Sequence, residues 1–563
     1  MLWRRLAGVA VALSAVSGCV TTAATGPSVR AHQSDALPAL FSRGTEQSRV
    51  ETVPDVDAVE WRDCAESNVP DGPWQCASIE VPMDYRHPAT SRRLSIALTR
   101  LPATDTETRI GSLVLNPGGP GGSGVDLAWE LAAELPSTLT SRFDLVGFDP
   151  RGVGRSTPVD CIPGPFGDAT CRRTERQLLS FLGTANVARD VETIREAVGD
   201  DQLTYLGFSY GTALGAIYAD MFPSSVRAMV LDGSIDPGAG RYNTDGTSIG
   251  APHDPFYGTQ DFAGTLAIFH ELCDATRRCG AGPSSADTLD RVQRIVDGEP
   301  VRYFSDIGPI DERDLGDIVQ QSMYTIDVWP ALGIALRDAA DGDASTLAAL
   351  ESLLTFGYPA TLGEEIRPRA SQAIYCADFA GRSGRFAVAE CDGVPESAEP
   401  LAPVTATTTT TPIVVIGTDG DPATPGYLAP RMAKALVSAV AVRWEGAGHT
   451  ALLHSSCIDT IVVEYLVSLA VPEDHTDCPF TASGNSTVAR AARVFTPDRA
   501  LVEHNLTEVY RGEGLDVAEA VCVAKGVAVT GSVAQLVYAR LGVRRPEYEL
   551  LRHRVEAACG VRG

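Results

Sequence analysis

The segment that decides the fold is Leu203-Thr204-Tyr205-Leu206-Gly207-Phe208-Ser209-Tyr210-Gly211-Thr212-Ala213-Leu214-Gly215-Ala216-Ile217. Its first four residues form an apolar run typical of a buried strand, and the small and apolar residues after Gly211 favour a helix. A strand that turns sharply into a helix raises the hydroxyl of Ser209 at the end of a sheet, and Gly207 and Gly211 let other chain segments pass close to the turn. The pattern therefore predicts a nucleophilic serine. The alternative is an ordinary strand–turn–helix crossover with a surface serine.

The regions around this segment repeat the alternation of strand and helix. Residues 186–198 favour a helix that is capped by Asn186. The other predicted strands are Leu94–Leu98, Ser112–Asn116, Phe143–Phe148, Met229–Asp232, Ile413–Ile416 and Val440–Trp444. Strands that alternate with helices pair in parallel and are covered on both faces, so we expect an α/β fold with a mostly parallel sheet.

The alternation stops after Asp232-Gly233 and resumes at Ile413. The intervening residues show helical patterns broken by Gly and Pro and end in a threonine-rich stretch, 405–412, that we interpret as a linker. An insertion of this size is long enough to form a lid over the sheet. We therefore expect a first core part at 56–233, a mainly helical lid at 234–411, a second core part at 412–484 and a mainly helical C-terminal extension without recognisable motif at 485–563.

The charge balance excludes nucleic acid as a partner. The chain has 46 Lys and Arg against 72 Asp and Glu, a net charge of −26. Phosphate binding needs a basic surface, which this composition does not provide. An acidic surface suits a soluble, monomeric extracellular protein and favours substrates with a positively charged end, such as a peptide amino terminus.

The first residues predict export. Arg4 and Arg5 precede a short apolar stretch, Leu6–Val16, which is too short to span a bilayer. The following Val16-Ser17-Gly18-Cys19 is similar to the site at which bacterial lipoproteins are cleaved and lipidated. We expect a signal peptide at 1–18, a lipid on Cys19 and a flexible tether at 19–55, so that the anchor is the only membrane contact. The alternatives are plain secretory cleavage near Gly18 or an uncleaved anchor.

The cysteines agree with an oxidising compartment. There are 13, and assigning Cys19 to the lipid leaves an even number. Proximity in sequence suggests the pairs Cys64/Cys76, Cys161/Cys171, Cys273/Cys279, Cys376/Cys391, Cys457/Cys478 and Cys522/Cys559. No C-x-x-C pair occurs, so we expect no metal site.

Candidate partners for Ser209 follow two later strands. A serine hydroxyl needs a base to take its proton and a third group to orient that base, and in this type of fold the chain order is Ser, then Asp or Glu, then His. Asp419 and Asp421 follow the strand at Ile413, and spacing does not separate them. His449 follows the last predicted strand and is the expected base. His454, in what reads as the next helix, is the weaker candidate.

The loop Asn116-Pro117-Gly118-Gly119-Pro120-Gly121-Gly122-Ser123-Gly124 supplies the remaining requirement. A tetrahedral intermediate needs backbone N–H donors aimed at its oxyanion. We expect these donors to be Gly119 and Tyr210, with Gly118 or Gly121 as substitutes. The loop also matches the dinucleotide pattern G-x-G-x-x-G, but it does not follow the first strand and Pro120 lies inside the turn, so we expect no cofactor.

Several segments together resemble the α/β-hydrolase serine peptidases of the prolyl iminopeptidase and tripeptidyl aminopeptidase group, including mycobacterial cell-envelope serine hydrolases. They span about residues 60–480 and are Val81-Pro82-Met83-Asp84-Tyr85, Asn116 to Gly124, Asp149-Pro150-Arg151-Gly152-Val153-Gly154-Arg155-Ser156, Gly207 to Thr212, Leu231-Asp232-Gly233, Asp421-Pro422-Ala423-Thr424-Pro425 and Gly448-His449-Thr450.

This resemblance implies an α/β-hydrolase fold and selects Asp421, the aspartate before proline, as the acid. It further implies peptide or protein substrates and release of short peptides, such as tripeptides, from free amino termini. Lid carboxylates would bind the substrate ammonium group. Glu271 and Asp274 are possible, although surface solvation is their ordinary role. A carboxylesterase on the same triad and a non-catalytic envelope protein on the same scaffold are the alternatives.

Overall fold

The computed structural model describes residues 53–66, 69–159, 161, 171–235, 261–276, 278–298, 310–356, 366–379, 391, 394–395, 397–399, 401, 404, 407, 409–481, 486–495, 499–541, 543 and 545–561. The predicted signal peptide, Cys19 and nearly all of the predicted tether lie outside the described residues.

A single sheet runs through the described part of the chain. Its strands are β1 (Arg62–Asp63), β2 (Gln75–Pro82), β3 (Arg93–Leu101), β4 (Gly111–Asn116), β5 (Phe143–Phe148), β6 (Leu203–Phe208), β7 (Val226–Asp232), β8 (Val414–Gly420), β9 (Val440–Ala447) and β10 (Thr476–Cys478). Their order across the sheet is β1-β2-β3-β5-β4-β6-β7-β8-β9-β10. Each of the predicted strands overlaps one of these.

The sheet is antiparallel at one edge and parallel elsewhere. Strands β1, β2, β3 and β5 pair antiparallel, whereas β5, β4 and all strands from β6 onward pair parallel. The carboxyl ends of the parallel strands therefore meet at one edge, which is where ligands bind in open α/β sheets. The predicted, mostly parallel α/β-hydrolase sheet is confirmed.

Apolar side chains cover both faces of this sheet. Leu113 and Leu115 belong to the apolar cluster on one face, and Val114 between them belongs to the cluster on the other. This alternation follows from the period of two in a strand. The helices that flank the strands are α1 (Gly124–Leu131), α2 (Ser137–Arg142), α3 (Arg173–Leu179), α4 (Thr184–Val198), α5 (Tyr210–Met221), α12 (Ala429–Ala435) and α13 (Ser456–Ser468).

Helix α4 begins two residues before the predicted cap. Gly183 is its N-cap residue, and Asn186 lies inside the first turn. The predicted capping role of Asn186 is therefore wrong. The reason is tertiary, because the carboxylate of Asp378 accepts the N–H of Thr184 at 3.0 Å and its hydroxyl at 2.5 Å. A distant carboxylate thus satisfies one of the four amides that a helix leaves without a partner at its start.

The described part of the insertion between β7 and β8 is mainly helical, as predicted. Its helices are α6 (Phe262–Asp274), α7 (Ser285–Gly298), α8 (Glu312–Ser322), α9 (Trp329–Ala340), α10 (Ser345–Phe356) and α11 (Ile366–Phe379). The threonine-rich stretch before β8 is tied to the core, because the hydroxyl of Thr407 donates to Asp220 at 2.6 Å and the N–H of Thr409 donates to Ser438 at 3.0 Å.

The C-terminal extension packs on the lid. Its helices are α14 (Thr487–Phe495), α15 (Arg499–Gly512), α16 (Val517–Thr530), α17 (Val533–Arg540) and α18 (Pro546–Cys559). The ring of Phe495 lies 6.5 Å from that of Phe269 in α6. Arg545 donates to Asp338 of α9 at 2.9 Å, and the hydroxyl of Tyr538 donates to the same carboxylate at 3.1 Å.

Six disulfides cross-link the described residues. They are the pairs expected from proximity: Cys64–Cys76, Cys161–Cys171, Cys273–Cys279, Cys376–Cys391, Cys457–Cys478 and Cys522–Cys559. Among the helices that the structure describes, none combines the length and apolar character needed to cross a membrane.

Candidate active site

Ser209 occupies a strained turn between β6 and α5. Its backbone angles are φ 55° and ψ −124°, a region that costs a non-glycine residue about 1–3 kcal/mol. Three hydrogen bonds hold this conformation. The N–H of Ser209 donates to the carbonyl of Asp232 at 2.9 Å, and its own carbonyl accepts the N–H and the hydroxyl of Thr212 at 2.8 and 2.6 Å. The turn therefore presents a half-buried hydroxyl at the carboxyl edge of the sheet, as the sequence predicts.

His449 and Asp421 follow β9 and β8 and contact each other. Nδ1 of His449 lies 3.0 Å and 2.9 Å from the two carboxylate oxygens of Asp421, which is 1% exposed. The backbone N–H groups of Ala423 and Thr424 both donate to one carboxylate oxygen at 2.8 Å. The Thr424 hydroxyl and the Thr450 N–H donate to the other, at 2.9 and 3.2 Å. The carboxylate is thus fixed and can orient the imidazole.

Asp419 takes a different partner. Its carboxylate accepts two hydrogen bonds from the guanidinium of Arg443, at 2.7 and 2.6 Å, on a half-exposed surface. Asp419 lies within β8 and is partly exposed, whereas Asp421 is the first residue after the strand and is buried. Of the two, only Asp421 reaches the imidazole of His449.

His454 has a packing role. Its ring stacks on that of Trp444, with the ring centres 6.1 Å apart and the planes 8° from parallel. It lies in a turn that precedes α13, so the predicted helical position is wrong. The helix starts only at the residue after Ser455, whose side chain caps it.

The turn that carries Ser209 and the loop that carries His449 both lie against the end of β7. Asp232 holds the N–H of Ser209, and a Cβ built on the next residue, Gly233, would lie 3.4 Å from Cε1 of His449. Among the residues described here, no hydrogen bond joins the Ser209 hydroxyl to His449. In free hydrolases this bond is often long and closes only with substrate bound.

The environment of His449 favours its charged form. Burial opposes the imidazolium, but the charge and the hydrogen bond of Asp421 outweigh burial and raise the pKa of His449. The lid adds a contact that the sequence did not indicate. The carbonyl of Tyr324 accepts the backbone N–H of His449 at 2.7 Å, and the Tyr324 ring packs edge-on against the imidazole with ring centres 5.5 Å apart.

The glycine-rich loop after β4 lies against the turn that carries Ser209. Gly118 has φ 89°, and a Cβ there would lie 2.4 Å from the carbonyl of Phe208 and 2.8 Å from the amide nitrogen of Tyr210. The N–H of Gly118 donates to the side-chain oxygen of Asn116 at 3.0 Å. This substitute oxyanion donor is therefore already hydrogen-bonded. In the described part of the chain, no protein group accepts the N–H of Gly119. Gly119 and Tyr210 remain the predicted donors.

The start of α6 is bonded to the acid loop. The N–H of Asp261 donates to the carbonyl of Pro422 at 2.9 Å, and the hydroxyl of Thr265 donates to the carbonyl of Gly420 at 3.1 Å. Together with the bond from His449 to Tyr324, these bonds attach the lid to the loops that carry Asp421 and His449.

The two acidic lid residues singled out in the sequence have structural partners. Glu271 accepts from Arg490 and Thr487 of the extension, both at 2.7 Å. Asp274 accepts the N–H of Ser285, the first residue of α7, at 2.8 Å. No role in substrate binding is assigned to either.

Comparison with known proteins agrees with this fold. A family model described as alpha/beta hydrolase fold matches residues 111–263, and one described as TAP-like protein matches residues 377–478. Serine protease Hip1 of Mycobacterium tuberculosis is 31% identical over 495 residues, which cover 75% of this chain and 91% of that protein. This chain belongs to the α/β-hydrolase family of Hip1.

Two further relatives show the range of named activities. Carboxylesterase B of Mycobacterium tuberculosis is 31% identical over 462 residues, covering 72% of this hydrolase and 86% of the relative. Tripeptidyl aminopeptidase of Streptomyces coelicolor is 38% identical over 209 residues, which cover 32% of this chain and 38% of that enzyme. The chain is a serine hydrolase. Neither family model reaches the C-terminal extension.

Proposed function

We propose that this hydrolase is an extracytoplasmic serine exopeptidase that releases short peptides, tripeptides foremost, from free amino termini. The observation that carries the proposal is the contact of Asp421 with Nδ1 of His449, at the sheet edge where the strained turn presents Ser209. The names of two relatives, a serine protease and a tripeptidyl aminopeptidase, supply the substrate class.

The proposed chemistry follows from this arrangement. The Ser209 hydroxyl attacks the peptide carbonyl while Nε2 of His449 takes its proton, and Asp421 stabilises the resulting imidazolium. The N–H groups of Gly119 and Tyr210 bind the oxyanion. His449 then protonates the leaving amine, so the C–N bond breaks and an acyl-enzyme remains. Water attacks that ester with His449 as the base, which releases the short peptide and restores the serine.

The proposed compartment rests on the disulfides. Six cross-links among the described residues need an oxidising environment to form and persist. We extend the proposal to a lipid on Cys19, which incorporation of a labelled fatty acid would test. Loss of the label in Cys19→Ser is the expected result, and equal labelling of that variant would contradict it.

The activity is tested with wild-type enzyme and Ser209→Ala. We expect the wild type to hydrolyse a tripeptide anilide with a free amino terminus, and the variant to lose about 10⁴-fold in kcat and all labelling by a fluorophosphonate. Equal turnover by the two proteins would contradict the role of Ser209.

A carboxylesterase is the second candidate, because one relative with 86% coverage carries that name. Short acyl esters and amino-terminally acetylated tripeptide anilides discriminate between the two. Efficient cleavage of the esters, together with equal cleavage of blocked and unblocked peptides, would favour the esterase.

A further inference from the structure

Asp232, the last residue of β7, contacts both halves of the candidate site. It is fully buried. Its backbone carbonyl accepts the N–H of Ser209 at 2.9 Å. Its carboxylate accepts the N–H of Ala451 at 3.0 and 3.1 Å and the N–H of Leu452 at 2.9 Å. Ala451 lies two residues beyond His449, so a single residue binds the turn that carries the nucleophile and the loop that carries the base.

Gly233, the residue that follows Asp232, is closely surrounded by the loops after β8 and β9. The N–H of Gly233 donates to the carbonyl of Ile416 in β8 at 3.2 Å. A Cβ on Gly233 would lie 3.1 Å from the hydroxyl of Thr424 and 3.4 Å from the His449 ring. Asp232 is therefore held between its neighbouring strand and the two loops that follow β8 and β9, and a shift of its carboxylate would shift the base loop with it.

We propose that Asp232 is a positioning residue that sets the separation of Ser209 and His449. Its carbonyl fixes the nucleophile turn, and its carboxylate fixes the base loop through two backbone amides. This inference rests on the proposed function, because it assumes that Ser209 and His449 react together.

The same carboxylate acts on His449 electrostatically. The titratable groups that face Asp232 are His449 and Asp421. Burial, helped by the charge of Asp421, raises the pKa of Asp232 to about 6, whereas the Leu452 and Ala451 amides and the charge of His449 act to lower it. Above that pH the carboxylate is charged, accepts both amides and favours the imidazolium of His449. Below it, protonation weakens the anchor.

A matched control lies on the same loop. Asp459 of α13 accepts the N–H of Leu453 at 2.8 Å, so it also anchors this loop through a carboxylate-to-amide bond. It is not among the charged groups that act on His449. Asp459→Asn therefore measures the effect of loosening the loop, and Asp232→Asn adds the loss of the charge beside the base.

The test uses the full-length enzyme, with active sites counted by a fluorophosphonate. For Asp232→Asn we expect kcat/KM on a tripeptide anilide, and the rate constant of fluorophosphonate labelling, to fall about 10- to 100-fold with little change in KM. We also expect the acid limb of the pH profile to move to lower pH, because removal of a negative charge lowers the pKa of His449. Asp459→Asn is expected to leave that limb in place.

A wild-type rate and an unmoved acid limb in Asp232→Asn would overturn the proposal, as would the same shift in Asp459→Asn. If Asp232→Asn does not fold, the amide signal of Leu452 in wild-type enzyme labelled with ¹⁵N-leucine decides. Movement of that signal on acidification supports the anchor, and a signal that stays constant from pH 3 to 8 refutes it. Fluorophosphonate labelling needs an activated serine but no peptide substrate. If Ser209 of the wild-type enzyme is not labelled, the proposed triad itself has failed, and not only the role of Asp232.

Discussion

Replacing Asp421 with asparagine is expected to lower kcat/KM about 10⁴-fold while the protein stays folded. Both oxygens of this buried carboxylate lie about 3 Å from Nδ1 of His449. One of them also accepts the N–H groups of Ala423 and Thr424, each at 2.8 Å. These two amides will keep the oxygen of an asparagine side chain in place. Its NH₂ group then occupies the other position, where it faces His449 and Thr450.

An NH₂ donor opposite Nδ1 selects the wrong tautomer of the imidazole. When Nδ1 accepts a hydrogen bond from this NH₂ group, the proton lies on Nε2, and Nε2 has no lone pair left for the proton of Ser209. The expected loss is four factors of ten at about 1.4 kcal/mol each, or about 5.5 kcal/mol of transition-state stabilisation. KM should change little, because no contact with the substrate is removed.

The pH profile supplies a second measure of the same substitution. The unprotonated imidazole is the active form, and Asp421 raises the pKa of His449. In the wild type, activity is therefore lost on acidification at a pH above the ordinary histidine value of about 6.5. Without the carboxylate charge the pKa falls, so the acid limb of the residual activity should move to lower pH.

Asp419→Asn is the matched control, two residues away. Its carboxylate pairs with Arg443 on a half-exposed surface, where such a pair contributes about 0–1 kcal/mol to stability. We expect kcat/KM within about twofold of the wild type, measured with a tripeptide anilide on active-site-titrated enzyme. The reasoning fails if Asp421→Asn retains more than about a tenth of wild-type activity, or if the two substitutions cost the same.

Two further predictions concern stability and the lid. Gly118→Ala and Gly199→Ala both place a side chain at positive φ, but only at residue 118 does the new Cβ meet backbone, 2.4 Å from a carbonyl oxygen. We expect Gly199→Ala to lower the free energy of unfolding by about 1 kcal/mol with kcat unchanged. We expect Gly118→Ala to lower kcat/KM at least about 100-fold. Equal values of kcat/KM in the two variants would contradict the predicted role of the glycine-rich loop. Arg545→Ala should lower the free energy of unfolding by about 2 kcal/mol in urea, because it removes one of the two guanidinium groups that pair with the buried Asp338 carboxylate, the other being that of Arg337. The exposed Arg443→Ala should cost less than about 1 kcal/mol, and an equal loss in both would show that the extension does not brace the lid.

The sequence by itself determined strands β3 to β9 and the helices before and after β6, and it named the residues that the structure brings to one edge of the sheet. Apolar periodicity identified the parallel strands because burial on both faces leaves a local signature in each segment. The turn at Ser209 was visible because a strained strand-to-helix connection needs particular residues next to it in the chain. Neighbouring cysteines paired as expected, since short loops bring their side chains together.

Only the tertiary structure decided which side chains contact each other across the chain. Spacing left Asp419 and Asp421 open, and resemblance chose between them. The structure shows the physical reason, because Arg443 from the neighbouring strand pairs with Asp419. The contact of Tyr324 with His449, the cap that Asp378 provides for Thr184 and the packing of the extension on the lid likewise join residues more than 70 positions apart. Such contacts depend on how elements pack, and packing leaves no periodic trace in the sequence.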